Sequence, residues 1–139
     1  MMLRSLLLAL PLLASPALAL AEVNVTLDHG AVWQTDKLGG QTEAFLEIHN
    51  KGSAPDVLTA ADCSIAASTV LVGGDGKVLD SLTILPGQTL TLSASGPHLL
   101  LQDLHYTVDR GSILPCAFSF QQAGDLLGYL NAAPRPAKP

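Results

Sequence analysis

Turn-forming residues recur along this chain about every eight to twelve positions, which leaves no room for sustained helical periodicity. Lys37-Leu38-Gly39-Gly40, Asn50-Lys51-Gly52-Ser53, Gly73-Gly74-Asp75-Gly76, Leu85-Pro86-Gly87-Gln88 and Asp109-Arg110-Gly111-Ser112 each break the chain. Between the breaks, apolar and polar residues alternate with period two, the pattern of a strand with one buried face. Glu22 to Leu27 alternates, Asp28-His29-Gly30 interrupts it, and Ala31-Val32-Trp33 resumes. Further strands are expected at 42–50, 56–61 running towards Cys63, 68–72, 78–84, 89–93, 98–104, 104–108, 113–120 and 126–131. Short strands at this spacing predict a single all-β domain, an antiparallel β-sandwich or barrel.

The first 21 residues stand outside that pattern. Met1-Met2-Leu3-Arg4 supplies a positive start, Ser5 to Leu13 is nearly all apolar, and Ala17-Leu18-Ala19 or Ala19-Leu20-Ala21 fits a small-x-small cleavage site. This reads as a secretory signal peptide, cut after Ala19 or Ala21. An uncleaved membrane anchor is the rival reading, but the apolar run is short for a span. The expected organisation is therefore a leader at 1–21, a β domain at 22–131 and a disordered proline-spaced tail at 132–139. Export implies the periplasm, with no membrane span once the leader is gone.

The whole chain carries a net charge of −5, and losing Arg4 with the leader takes it to about −6. No basic patch is present, which argues against nucleic acid as a partner. Both methionines are Met1 and Met2, so residues 3–139 contain no thioether. The two cysteines, Cys63 and Cys116, form an even count in an exported chain, which suggests a disulfide. Two buried thiols or a thiolate metal site are the alternatives.

Enzyme chemistry finds little support, and none is expected. Ser64, Ser68 and Ser95 lie in no G-x-S-x-G setting. Gly73-Gly74-Asp75-Gly76 lacks the Lys-Ser/Thr of a phosphate loop and reads as a hairpin turn. The stretch with most chemistry is Gly96-Pro97-His98-Leu99-Leu100-Leu101-Gln102-Asp103-Leu104. There a turn delivers one imidazole to the mouth of an apolar strand, and His98 and Leu100 share a face. His105, seven positions on, would approach His98 only across a turn; His29, His49 and Asp103 are the other candidate metal ligands. Ordinary loop or surface histidines are the plainer alternative.

Four stretches, in this order, resemble the periplasmic copper chaperones called PCu(A)C. They are Ala44-Phe45-Leu46-Glu47-Ile48-His49-Asn50, Asp56-Val57-Leu58-Thr59-Ala60-Ala61 with Ala66, the 96–104 stretch, and Gly111 through Phe118-Ser119-Phe120 to Ala123-Gly124. The resemblance implies a cupredoxin-like β-sandwich, copper as cargo, and a periplasmic copper protein or oxidase assembly factor as partner. That family holds Cu(I) with a His and a Met in mid-chain and a later His-x-Met pair. The later His matches His98, and Leu100 stands at the Met. The earlier His falls near Val72, and the earlier Met near Val78 or Leu79. Most of the family's ligands are thus absent, and a metal-free β-sandwich that binds a partner protein is the alternative function.

Overall fold

The structure, a computed structural model, describes Pro11 and residues 20–137. Most of the expected leader and the last two residues lie outside that range. Nine strands follow in order: β1 (Val25–Trp33), β2 (Thr42–Asn50), β3 (Asp56–Cys63), β4 (Ala66–Val72), β5 (Leu82–Ile84), β6 (Thr89–Thr91), β7 (His98–Leu104), β8 (Ile113–Phe120) and β9 (Gly124–Ala133). Hydrogen-bonded neighbours run β4-β7-β2-β1-β9-β8-β3-β5, with β6 also pairing β2. β3 and β4 lie near opposite ends of that path, yet only Ser64 and Ile65 join them. The sheet therefore curls on itself, and its concave side becomes the core.

Period-two alternation decides what that core contains. In β2, Thr42, Ala44, Leu46, Ile48 and Asn50 are buried while the residues between them are partly exposed. Leu99 and Leu101 of β7, Phe118 of β8 and Leu130 of β9 reach full burial beside Ile48 and Leu58. In β3 the register shifts between Leu58 and Ala60. This bulge lets Leu58, Ala61 and Cys63 all face inward, although strict alternation would turn Ala61 and Cys63 outward.

The structure departs from the sequence expectations in four places. The stretch 78–84 pairs only over Leu82–Ile84, because the chain must leave β4 and cross to β3; Val78 makes one isolated bridge to Val72. No strand forms over 104–108: Asp103 takes a φ of 52°, β7 ends at Leu104, and Val108 is instead tied to Thr35. The strand expected from 126 starts two residues earlier, at Gly124, which pairs with Phe120. At its other end β9 runs past Asn131, and Ala132 and Ala133 pair with Val32 and Trp33. That last ladder is parallel, the one exception among the strand pairs of an otherwise antiparallel sheet of the described residues.

Two buried polar residues hold the loops at one end. Asn50 donates to the carbonyls of Ala54 and Ile84 and accepts from Gly52 N. Asp56, 2% exposed, accepts from Val57 N and Gln122 N on one oxygen and from Ala123 N on the other. It thereby pins the start of β3 to the β8–β9 turn. Removing this carboxylate strands three part-buried backbone donors. Asp56→Ala is expected to cost about 3 kcal/mol, measured as a fall in the urea midpoint with the slope unchanged.

Candidate functional site around His98

A tight turn presents His98. Gly96 N donates to Ser93 O, and Ser93 N donates to Pro97 O, so the chain reverses just before β7. The hairpin after β4 closes over this turn. A Cβ on Gly74 would lie 2.3 Å from Ser95 O, so only a residue without a side chain allows the two loops to meet this closely. Under this cover His98 is 6% exposed.

The ring is oriented by its own turn. His98 Nδ1 lies 2.9 Å from Gly96 O. A carbonyl can only accept, so Nδ1 carries the proton, and in the neutral ring Nε2 keeps its lone pair. A ligand imidazole is commonly held in this way, with the far nitrogen donating to a backbone carbonyl. Glu43 Oε2 is 3.9 Å from Nε2, too far for a hydrogen bond.

The other neighbours are apolar. Val72 of β4 is the cross-strand partner of His98, and Val70 is the partner of Leu100. Phe45 of β2 packs on the His98 ring at 5.8 Å between centroids, and Trp33 meets Phe45 edge-on at 5.0 Å. The Arg135 guanidinium lies 5.2 Å from the Trp33 ring. The sequence reading missed Phe45 and Trp33. The available signal was an aromatic at an outward position of β2, between Glu43 and Glu47.

The remaining candidates scatter. His105 is exposed and follows the far end of β7, whose length at about 3.3 Å per residue separates it from His98 by roughly 20 Å. No turn intervenes to bring the two together, and Asp103 lies at that same far end. Cys63 and Cys116 are cross-strand partners and form a disulfide, with Cα atoms 4.3 Å apart. The thiol and thiolate alternatives therefore fall away. His29 and His49 both approach Glu47. Among the described residues, no group of three or more His, Cys, Asp or Glu side chains is set around a common metal position. An open cleft of about 720 Å³ lies elsewhere, lined by Asp36, Lys37, Asp109, Arg110 and Arg135 among others.

The curled β-sandwich is shared with solved PCuAC domains. The copper-bound PCuAC domain from PmoF2 superposes with a TM-score of 0.73 at 16% identity, covering 82% of this chain and 97% of that one. The apo PCuAC domain from PmoF1 gives 0.74 at 20% identity, covering 82% and 98%. The Cu(I) form of DR1885 from Deinococcus radiodurans gives 0.64 at 26% identity, covering 84% and 80%. A comparison with curated proteins finds no match. Residues 25–127 match the family model described as putative lipoprotein LpqE-like. The chain belongs to this family, and so to the PCuAC proteins.

Two of these solved proteins hold copper, and its fit can be tested on the residues present here. Cu(I) favours soft sulfur donors beside imidazole. Val72 is the cross-strand partner of His98, Leu100 follows on its face of β7, Phe45 packs on the ring, Glu43 Oε2 lies 3.9 Å from Nε2, and the sulfurs of residues 3–139 are locked in one disulfide. One oriented imidazole with no sulfur donor beside it does not fit tight Cu(I) binding.

Proposed function

We propose that this chain is an exported protein of periplasmic copper handling that does not itself carry Cu(I) tightly. It acts by contact with a periplasmic copper protein or with a factor that assembles an oxidase. Its structural neighbours include copper-bound and Cu(I) forms, which is the ground for copper. The leader-like residues 1–21, the disulfide and the lipoprotein-like family support export. The observation that carries the reading is the His98 ring: oriented as a ligand by Gly96 O, yet paired across the strands with Val72 and followed on its own face by Leu100, neither of which offers a donor. A second reading, a metal-free docking module, draws on the same face, where Trp33, Phe45, Val70 and Leu100 remain partly exposed.

Titration of Cu(I) against a competing chelator tests the first reading. Copper is expected to stay with the chelator, with only weak binding that His98→Ala abolishes. Tight one-to-one binding that survives His98→Ala would remove His98 as the residual ligand. No binding of any strength would favour the docking module, whose partners should then be lost in Leu100→Asp.

A further inference from the structure

The second concentration of imidazoles lies on the outer face of the same sheet, where β1 is bulged. Asp28 is the cross-strand partner of Glu47, and the β1–β2 register shifts between Asp28 and Ala31. Strict alternation would put His29 on the opposite face from Asp28 and Glu47. His29 instead takes a φ of 52°, and Asp28 Oδ1 accepts from His29 N at 2.8 Å. The bulge swings the ring back onto the face that Glu47 occupies, a known use of such irregularities. His29 Nδ1 then lies 3.0 Å from Glu47 Oε2 and 3.2 Å from Asp28 Oδ2. Glycine follows directly at Gly30, where a Cβ would stand 2.1 Å from Tyr129 O. The bulge is thus pressed against β9, while the strained left-handed position is held by an imidazole rather than by that glycine.

His49, two residues beyond Glu47 on the same face of β2, completes the group. Its Nδ1 is 2.9 Å from Thr89 Oγ1, and its Nε2 is 3.6 Å from Glu47 Oε2. With Nδ1–H donating to the threonine hydroxyl, as an outer partner does for a ligand imidazole, Nε2 is left as the nitrogen free to take an ion.

We propose that Asp28, His29, Glu47 and His49 form a cation site that takes a divalent first-row transition ion, Cu(II) in preference to Zn(II). The proposal goes beyond the Cu(I) reading at His98 and does not depend on it. Metal–ligand bonds of about 2.0–2.1 Å place tetrahedral donors about 3.3 Å apart. Three of the six pairs, each an imidazole nitrogen and a carboxylate oxygen, are separated by 3.0 to 3.6 Å. In the metal-free arrangement His29 is hydrogen-bonded to Glu47, and the four side chains surround no common centre. The His29 and Asp28 side chains are 70% and 61% exposed, so they can rotate onto an ion without disturbing the core. Two imidazole nitrogens with carboxylate oxygens suit borderline divalent ions, and Cu(II) heads the affinity order for such donors. The set contains no sulfur and gives Cu(I) no advantage.

The test titrates the purified protein with Cu(II) in the presence of glycine as competitor, and repeats the titration with Zn(II). One Cu(II) per chain is expected, with two imidazole nitrogens in the electron paramagnetic resonance spectrum. His29→Gln and His49→Gln should each weaken binding by at least roughly tenfold to a hundredfold, while His98→Ala leaves it unchanged. Thermal melting of the metal-free variants should match the parent, which separates ligand loss from misfolding. Failure to retain Cu(II) against glycine overturns the proposal. So does binding untouched in both histidine variants, which would place the ion at the chain terminus, and so does a loss confined to His98→Ala. The Cu(I) result at His98 stands or falls separately, because neither the oxidation state nor the residues are shared.

Discussion

Leu100→Met is expected to raise Cu(I) affinity by roughly 10²–10⁴-fold. His98 already has its Nε2 lone pair free and its ring fixed by Gly96 O. Leu100 lies two residues along β7 on the same face, partly exposed and opposite Glu43 and Val70. A thioether there meets an ion already on Nε2 as an intramolecular contact, and that effective concentration produces the gain. Exchange of Leu for Met nearly conserves volume, so about 1 kcal/mol of stability is the most at stake. Adding Val72→His, directly across from His98, supplies a further donor and should raise affinity again. Val72 is 2% exposed, so this second exchange carries more strain. Chelator competition on the parent, the single variant and the double variant reads the series. If Leu100→Met binds no better than the parent, the head of β7 is not a worn copper site, and the docking module becomes the stronger account.

Features that depend on local pattern were readable without the structure, and features set by distant pairing were not. Thr42 to Asn50 alternates without a break, and β2 occupies those residues because one face had to be core. The same logic failed for 78–84, where alternation persists but the partner edge is available to only three residues. Asp28-His29-Gly30 looked like an interruption, and it is one. That the interruption is a bulge aiming His29 at Glu47 depends on a β1–β2 register that no local pattern reports. His98 stood out beside a Gly-Pro turn, yet its real neighbours, Phe45 and Val72, come from strands 26 or more positions away in the chain. His98 and His105 could have met only across a turn, and a continuous β7 separates them instead.

The disulfide shows the same dependence on pairing and carries the largest effect on stability. Cys63 closes β3, Cys116 lies midway along β8, and the register places them directly opposite each other. The bridge spans 53 positions of sequence. In the chain-entropy model, releasing a loop of that size costs about 4 kcal/mol. Cys63→Ala with Cys116→Ala should therefore lower the melting temperature by roughly 15–30 °C in a domain of this size. The two cysteines are 0% and 1% exposed, so a thiolate reagent reaches the sulfurs only when β3 and β8 part. Native protein under mild reductant, followed by alkylation and mass measurement, should remain oxidised, while the same treatment in urea should label both cysteines. Rapid reduction without denaturant would mean that the sulfurs are reachable in the folded state, and a thiol-exchange activity would return to consideration. Resistance to reductant together with the large loss of stability in the double variant would leave the bridge a structural one, clamping β3 to β8 across the curl from the His98 face.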